Sequence, residues 1–361
     1  MTVAQHALRS IAMCNRHRGV MTVLAQSIAI ALLSVSTAHP LVLYRSVPRI
    51  KWNASNTCMS GEDAVGVCME ELHEHFVRHR GRRSGMDRRQ IRAVQIGACD
   101  GDFTRSPFDR FQQTIFTRGE TEALLLEPSP TSFAKLQVAA SRAAQQAPRL
   151  NLTTQNRAVC GTHAVLPFYH LAPSFREAYD APHWIAVQTA GFSREHVTAK
   201  LADTYGVCCS RRAQKKASEA SFPAHQCTLH GASGPKPGKS TPERNQLEAA
   251  LASKYLIVRD IECVPPRAAL GSVGWLPHSI DVLMVDAEGG DADIVNAFLD
   301  LHTVPALLVF EHTFMTNEVR GALLARLAEA GYLCRVSKPK TWADTICTFN
   351  WAGTDIQVLH V

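Results

Sequence analysis

The sequence has no G-x-G-x-x-G turn, no zinc-finger spacing and no apolar run of the full length usual for a membrane span. The first two absences each remove a class of protein, and the third bears on how the leader is read. Without the third glycine, the pyrophosphate of a dinucleotide lacks the close backbone approach it needs at a helix N-terminus. Aromatics make up 7% of the chain and do not interleave with basic residues, so a net charge of +6 is a mild excess rather than a nucleic-acid footprint. The apolar run Val20 to Val35 falls short of the about twenty residues a spanning helix needs. Charged residues are 19% of the 361 and hydrophobic ones 46%, which suits one large globular domain with additions.

The short apolar run is itself informative. Arg9, Arg16 and Arg18 precede it, and the small residues Ser36-Thr37-Ala38 follow it. Basic flank, apolar run and small residues in that order predict a signal peptide cleaved before His39. The long basic flank also fits an uncleaved signal anchor with a cytosolic N-terminus, so residues 1–38 are one or the other. Either places the chain in the secretory pathway. Of eleven cysteines, removal of Cys14 leaves ten, an even number that permits disulfides in an oxidising compartment. Cys58 and Cys68 are spaced to pair across a short loop. Asn53-Ala54-Ser55 and Asn151-Leu152-Thr153 are glycosylation sequons. Residues 39–90 read as an extension, weakly helical over 70–77. It ends in an arginine-rich connector, Arg78, Arg80, Arg82, Arg83, Arg88 and Arg89, which is either a solvated linker or an edge that attracts anions.

The domain proper is expected over residues 91–361. Its opening stretch runs from Arg92 to Phe103. The apolar residues Ala93 to Ile96 read as a buried parallel strand that stops at Gly97, and Asp100 and Asp102 flank Gly101. Glycine lets this backbone turn sharply, and a side chain added at Gly97 is expected to obstruct a ligand. A second apolar run, Ala123 to Leu126, ends at Glu127. Strand, glycine turn, helix and acid-tipped strand describe half of a nucleoside-binding fold in which the acid accepts from two ribose hydroxyls. Carboxylates at the turn repel a pyrophosphate and suit a cationic ligand; S-adenosylmethionine, with a sulfonium, an ammonium and a ribose, is one. A plain strand-to-helix turn would share the glycines but not Glu127.

Downstream, Ser132 to Gln145 reads as a helix that Ser132 could cap, and Asn151 to Val159 as a third strand. Residues 173–255, with Pro182, Pro223, Pro235, Pro237 and Pro242 and no sustained helical period, read as an insertion forming a lid or substrate loop. Within it Cys208, Cys209, His225, Cys227 and His230 match no familiar metal module, and disulfides or free thiols are expected there. Two further strands then end at Asp286 with Glu288, and at Glu311 with His312. Asp286 could instead cap the next helix, a place Asp291 also suits. Strands alternating with helices predict a doubly wound α/β sheet, whose ligands bind beyond the carboxyl ends of the strands.

Gln95-Ile96-Gly97-Ala98-Cys99-Asp100-Gly101, Leu126-Glu127-Pro128-Ser129-Pro130, Val285-Asp286-Ala287-Glu288-Gly289, Phe310-Glu311-His312, Gly331-Tyr332 and Asp344-Thr345 occur in the order seen in FkbM-type methyltransferases. The chain resembles that family over about residues 91–350, interrupted by the insertion. The resemblance implies a class I methyltransferase (Rossmann-like) fold with a seven-stranded sheet whose last strand is antiparallel. It also implies S-adenosyl-L-methionine as methyl donor and a hydroxyl acceptor on a glycan or small metabolite. By the same carry-over, Gly97, Asp100 and Gly101 belong to the cofactor turn, Glu127 to the ribose contact, and Asn156 lies near the adenine edge. Val285 stands where many members have lysine, and Cys99 where asparagine is more usual. Asp286, Glu288 or His312 is expected to take the acceptor's proton, Asp286 first because it sits nearest its strand end. Asp286 and Glu288 have no third metal ligand beside them, so no metal is assigned. The expected setting is the Golgi or ER lumen or the exterior, or a single-pass membrane protein with a luminal catalytic domain. The alternative function is a catalytically inactive binding module on the same fold; a nicotinamide oxidoreductase is disfavoured by the turn.

Overall fold

The computed structural model describes residues 54, 64–80, 90–101, 121–147, 149–179, 181, 189–216, 241–336 and 344–349. The leader, the Asn53 sequon, Cys58, the arginine connector beyond Arg80, Asp102, Phe103, His225, Cys227 and His230 lie outside the described residues. Among the described residues no helix is long and apolar enough to cross a membrane.

A helix, α1 (Ala64–Arg80), precedes β1 (Ile91–Ile96) and β2 (Thr121–Leu126). Then come α2 (Pro130–Gln146), β3 (Asn151–Gln155), β4 (Ala158–Val159), β5 (Ala164–Leu171), α3 (Pro173–Tyr179), β6 (Ala190–Gly191), α4 (Arg194–Lys216), α5 (Pro242–Tyr255) and β7 (Leu256–Val264). The chain continues through α6 (Pro266–Gly271), β8 (Val282–Val285), α7 (Asp291–Asp300), β9 (Leu307–Glu311), α8 (Asn317–Glu329), β10 (Tyr332–Val336) and β11 (Asp344–Phe349).

Seven strands make the main sheet in the order β10-β11-β9-β8-β1-β2-β3. All pairs are parallel except those of β11, which runs antiparallel to both β9 and β10. The chain winds outward from β1 through β2 and β3, then returns to the other side of β1 with β8. The order therefore reverses between β1 and β8, the place where open α/β sheets bind ligands. This is the class I methyltransferase sheet that the sequence led us to expect, with its antiparallel last strand.

The strands are apolar runs because helices cover both faces. Alternate residues serve opposite cores. Ala93, Ala123, Leu125, Val282, Met284, Leu307, Val309 and Ile346 pack with Cys68, Met69 and Leu72 of α1 and Leu136 of α2. Their neighbours Val94, Ile96, Leu124, Leu126, Leu283, Val285, Leu308 and Phe310 pack with Leu270, Val295, Phe298, Leu323 and Leu327 on the other side. Ser129, not Ser132, caps α2: its Oγ accepts from the Ser132 backbone N–H at 3.4 Å, and Pro130 fills the first helical turn.

The run Asn151 to Val159 is not one strand. It breaks after Gln155, and β4 joins a second, four-stranded sheet of order β4-β7-β5-β6. β5 and β7 pair with each other over their full lengths rather than with the main sheet. Nor is the segment 173–255 mainly loop. It holds α3, α4 and α5 around their own core of Phe175, Tyr179, Leu201, Tyr205, Cys208, Leu247, Leu251 and Tyr255. The helical period was present in Val197-Leu201-Tyr205-Cys208 and Leu247-Leu251-Tyr255, but the prolines between masked it. Cys208 is buried and Cys209 half-buried, and neither is in a disulfide.

Two disulfides lie among the described residues. Cys160–Cys263 ties the start of the second sheet to its last strand, and Cys334–Cys347 joins directly opposed residues of β10 and β11. Cys68 is also disulfide-bonded, to a partner outside the described residues.

Candidate functional site

The strand registers bring four of the predicted residues, Asn156, Glu127, Gly97 and Asp286, into one row. Leu126 pairs with Gln155, Ile96 with Leu126 and with Val285, Val285 with Phe310, and Glu311 with Asp344. Asn156, Glu127, Gly97, Asp286 and Glu311 therefore follow one another across the carboxyl ends of five parallel strands, and Asp344, at the amino end of the antiparallel β11, stands opposite Glu311. Residues in register share a face of the sheet, so these groups converge above the same core as α1 and α2.

At the centre, the β1 turn is held by the protein itself. The N–H groups of Gly97 and Ala98 both donate to the Leu126 carbonyl, at 2.9 and 3.0 Å. Gly97 has φ 77, and a Cβ placed there would lie 1.7 Å from the Asp286 carbonyl oxygen. Glycine is therefore required for β1 to close against β8. A side chain would break that contact before it could obstruct a ligand, which corrects the reason expected for Gly97. Gly101, with φ 72, has the same kind of role: a Cβ there would meet the Ala139 Cβ of α2 at 2.7 Å. Cys99 between them is also left-handed, at φ 57. Burial, with Asp100 and Glu127 nearby, pushes its thiol up and keeps it protonated. Asp100 is buried, with the Lys135 ammonium 4.0 Å from one oxygen.

Glu127 folds back over this turn. Its Oε2 accepts from the Cys99 N–H at 2.8 Å and its Oε1 from the Ser129 N–H at 2.7 Å. A carboxylate offers about four lone-pair sites, so two remain for hydroxyl donors. Burial raises its carboxyl to about 8, against the pull of these two bonds, with Asp100 and Glu288 adding to the rise. Asn156 supports this tip. Its side-chain amide donates to the carbonyls of Glu127 and Pro128, at 2.8 and 3.0 Å, so both amide hydrogens are engaged in holding the β2 exit.

On the other side of β1 the row is acidic. Burial pushes Asp286 well above the usual carboxylate range, and Glu311, Glu288, Asp291 and Asp344 push it further. Glu311 is raised to about 7, first by burial and then by Glu288; a Thr313 hydrogen bond and the Lys200 charge act against the rise. Burial, with Asp291 second, likewise takes Asp344 to about 7. Glu311 and Asp344 thus hold and release protons near neutrality, as a base in proton transfer must. Asp286 does not cap α7. Gly290 stands at the cap position and Asp291 in the first turn, where its carboxylate accepts from the N–H groups of Ala287 and Gly289, both at 3.1 Å. That brace fixes the loop on both sides of Glu288, which sits at φ 50.

The three residues expected to handle the proton thus have different surroundings. Asp286 lies in the row without a cation bonded to it in any contact described. Glu288 accepts from the Lys200 ammonium at 2.7 Å. His312 follows Glu311 by one residue and so turns to the opposite face. It is 4% exposed, its Nδ1 lies 3.0 Å from the Thr345 hydroxyl, and burial and Arg320 depress its basicity. It braces β9 against β11 and is not brought to the row.

Glu311, Asp344, Lys200 and His196 were not singled out as site residues from sequence. Glu311 was visible as a strand tip, but Asp344 reaches the row only through the antiparallel return of β11. Lys200 and His196 come from α4, inside the segment read as loop. The Lys200 ammonium lies 5.4 Å from the centre of the Phe314 ring, and the His196 ring meets Phe314 edge-on at 4.7 Å.

No protein-family model matches the chain, and no curated protein does. Among the solved structures similar to it are two methyltransferases. The methyltransferase FkbM from Methylobacillus flagellatus KT is 10% identical over 81% of this chain, with a TM-score of 0.36. The precorrin-6y C5,15-methyltransferase from Geobacter metallireducens GS-15 is 9% identical, with a TM-score of 0.28, over 83% of this chain and 94% of that one. The chain spans 56% of the FkbM structure's length. At that overlap neither neighbour bears on activity; the strand order and the row of strand tips give the chain a class I methyltransferase fold.

Proposed function

We propose that the chain is an S-adenosylmethionine-dependent methyltransferase acting on a hydroxyl of a glycan or small metabolite. The observation that carries this reading is Glu127. It is a buried carboxylate at the tip of the second strand, folded over the glycine turn of the first, with two lone-pair sites left beyond its backbone bonds. The residues present fit the donor: Glu127 would take the ribose hydroxyls, and the carboxylates at the turn and the β8 tip suit its positive charge. When bound, the donor supplies a methyl group on a sulfonium sulfur.

The chain's own residues then hold and order the reactants. Gly97 and Gly101 let the turn close so that Glu127 and Asp286 stand on either side of β1. Asn156 and Asp291 fix the two loops that carry those tips. In its ionised form Asp286, whose basicity burial and its acidic neighbours raise, is the group placed to take the acceptor's proton. Proton removal of this kind contributes about 10²–10⁴-fold in rate.

The setting we propose is the lumen of the secretory pathway or the exterior, with an N-terminal signal peptide or membrane anchor. Cys160–Cys263 and Cys334–Cys347 support an oxidising compartment. The test is equilibrium binding of S-adenosylmethionine, followed by incubation with methyl-labelled donor and a panel of glycans, lipids and small hydroxy compounds. Binding with transfer of label supports the reading. Binding without transfer to any acceptor would favour a non-catalytic module, and no binding at all would sink both.

A further inference from the structure

We propose that α4 completes the catalytic centre through Lys200, a positioning residue that sets how strongly the row of strand tips holds a positively charged donor. The inference rests on the reading of this site as a methyl-transfer centre. Helix α4 belongs to the accessory layer, where Leu201, Ala202, Tyr205 and Cys208 build the core. Its first two turns also present a second face. His196 and Lys200, four residues apart and so neighbours on one side of the helix, reach loops of the main sheet. Lys200 bonds Glu288 after β8 at 2.7 Å, and both residues contact Phe314 after β9. One segment thus touches the loops that follow two adjacent strands of the row.

Glu288 is delivered to this contact by its backbone. It is left-handed, and Asp291 holds the N–H groups on either side of it. The charged and titratable groups bearing on this corner are Glu288, Asp286 and Asp291 from the β8–α7 loop, Glu311 from β9, Asp344 from β11, and His196 and Lys200 from α4. The His196 Nε2 is buried without a hydrogen-bond partner, and burial and the Lys200 charge both disfavour a proton there. Lys200 is therefore the cation that α4 brings to this corner, bonded to Glu288 and close enough for its charge to act on Glu311.

A donor and its product differ by one methyl group and one positive charge on sulfur. A fixed cation beside the carboxylates lowers the hold on the charged donor and leaves the neutral thioether nearly untouched. Lys200 thereby narrows the difference in affinity between donor and product. A role limited to packing would change both affinities together.

The experiment uses the full chain with Lys200→Met, which keeps an apolar side chain over Phe314, and Lys200→Arg, which keeps the charge. Dissociation constants for S-adenosylmethionine and S-adenosylhomocysteine are measured by calorimetry at low and physiological salt, with melting temperatures to establish folding. For a charge on the order of 10 Å from the sulfur, at an effective dielectric of about 20–40, Lys200→Met should favour the donor over the product by about four- to sixteenfold. The shift should shrink with added salt, and Lys200→Arg should keep the parent ratio. An unchanged ratio in Lys200→Met, equal weakening of both ligands, or an arginine variant that behaves like methionine would each overturn the proposal. If none of the three proteins binds either ligand, the methyltransferase reading fails and the proposal with it.

Discussion

Glu127 makes a prediction that depends on pH. Its carboxyl is raised to about 8, and ribose hydroxyls bind the ionised form better. Donor affinity should therefore rise from pH 6 to pH 8 and level off above, with proton release on binding near neutrality. Glu127→Gln should remove this dependence and weaken binding at pH 8 by about 1.5–3 kcal/mol; calorimetry in buffers of different ionisation heat reads both. A pH-independent affinity in the parent chain would end the ribose assignment. Gly97→Ala is expected to fail at folding rather than at binding, because its Cβ falls 1.7 Å from a backbone oxygen. A loss above about 4 kcal/mol in a denaturant melt is the expected outcome. Both residues stood out in the sequence, because a glycine turn and an acid at a strand tip are local features. His312 shows where local reading stops. A polar residue beside a strand tip looks like a site residue, and only the alternation of faces shows that it belongs with Thr345. Asp344 was legible as part of a motif but not as a neighbour of Glu311, because an antiparallel return brings the two together.

At the scale of elements, the main sheet was legible and the accessory layer was not. Runs such as Val282 to Val285 announce strands buried on both faces, and Gly331, at φ 92 after α8, ends its helix as glycine usually does. The segment 173–255 gave no such signal, because its apolar residues recur at helical spacing between prolines and small residues. Leu201 tests that layer. It is fully buried against the α3–α5 core, so Leu201→Ala should cost about 2–5 kcal/mol. Proteolysis within that layer should accelerate, while β1 and β2 keep their amide protection in hydrogen exchange. The bond between Cys334 and Cys347 pins the sheet's antiparallel edge. Cys347→Ala with Cys334→Ala should lower the melting temperature of oxidised protein and leave that of reduced protein nearly unchanged.

For the whole molecule, the raised carboxyls have one sign. Asp286, Asp291, Glu311, Asp344 and Glu127 all hold protons in the fold that the unfolded chain releases at lower pH. The contribution of Asp291, Glu311, Asp344 and Glu127 to stability is complete below the ordinary carboxylate range and is lost as pH rises through about 6 to 8, and that of Asp286 changes with the same sign. Donor-free protein should therefore melt at a lower temperature at pH 8 than at pH 5, and Glu311→Gln or Asp344→Asn should flatten that slope in a melting series. A melting temperature that climbs over the same interval would contradict the protonation pattern of the row. The bond between Cys160 and Cys263 has a different kind of consequence. It brings the two ends of a 103-residue excursion to a Cα separation of 5.8 Å. Seen from the main sheet, that excursion enters and leaves through one doorway, so its contents can be rewritten, lengthened or exchanged without moving β3 or β8. A lineage carrying this fold can thus alter what reaches the strand tips by replacing a cassette, while the turn that carries Gly97 and Glu127 is inherited intact.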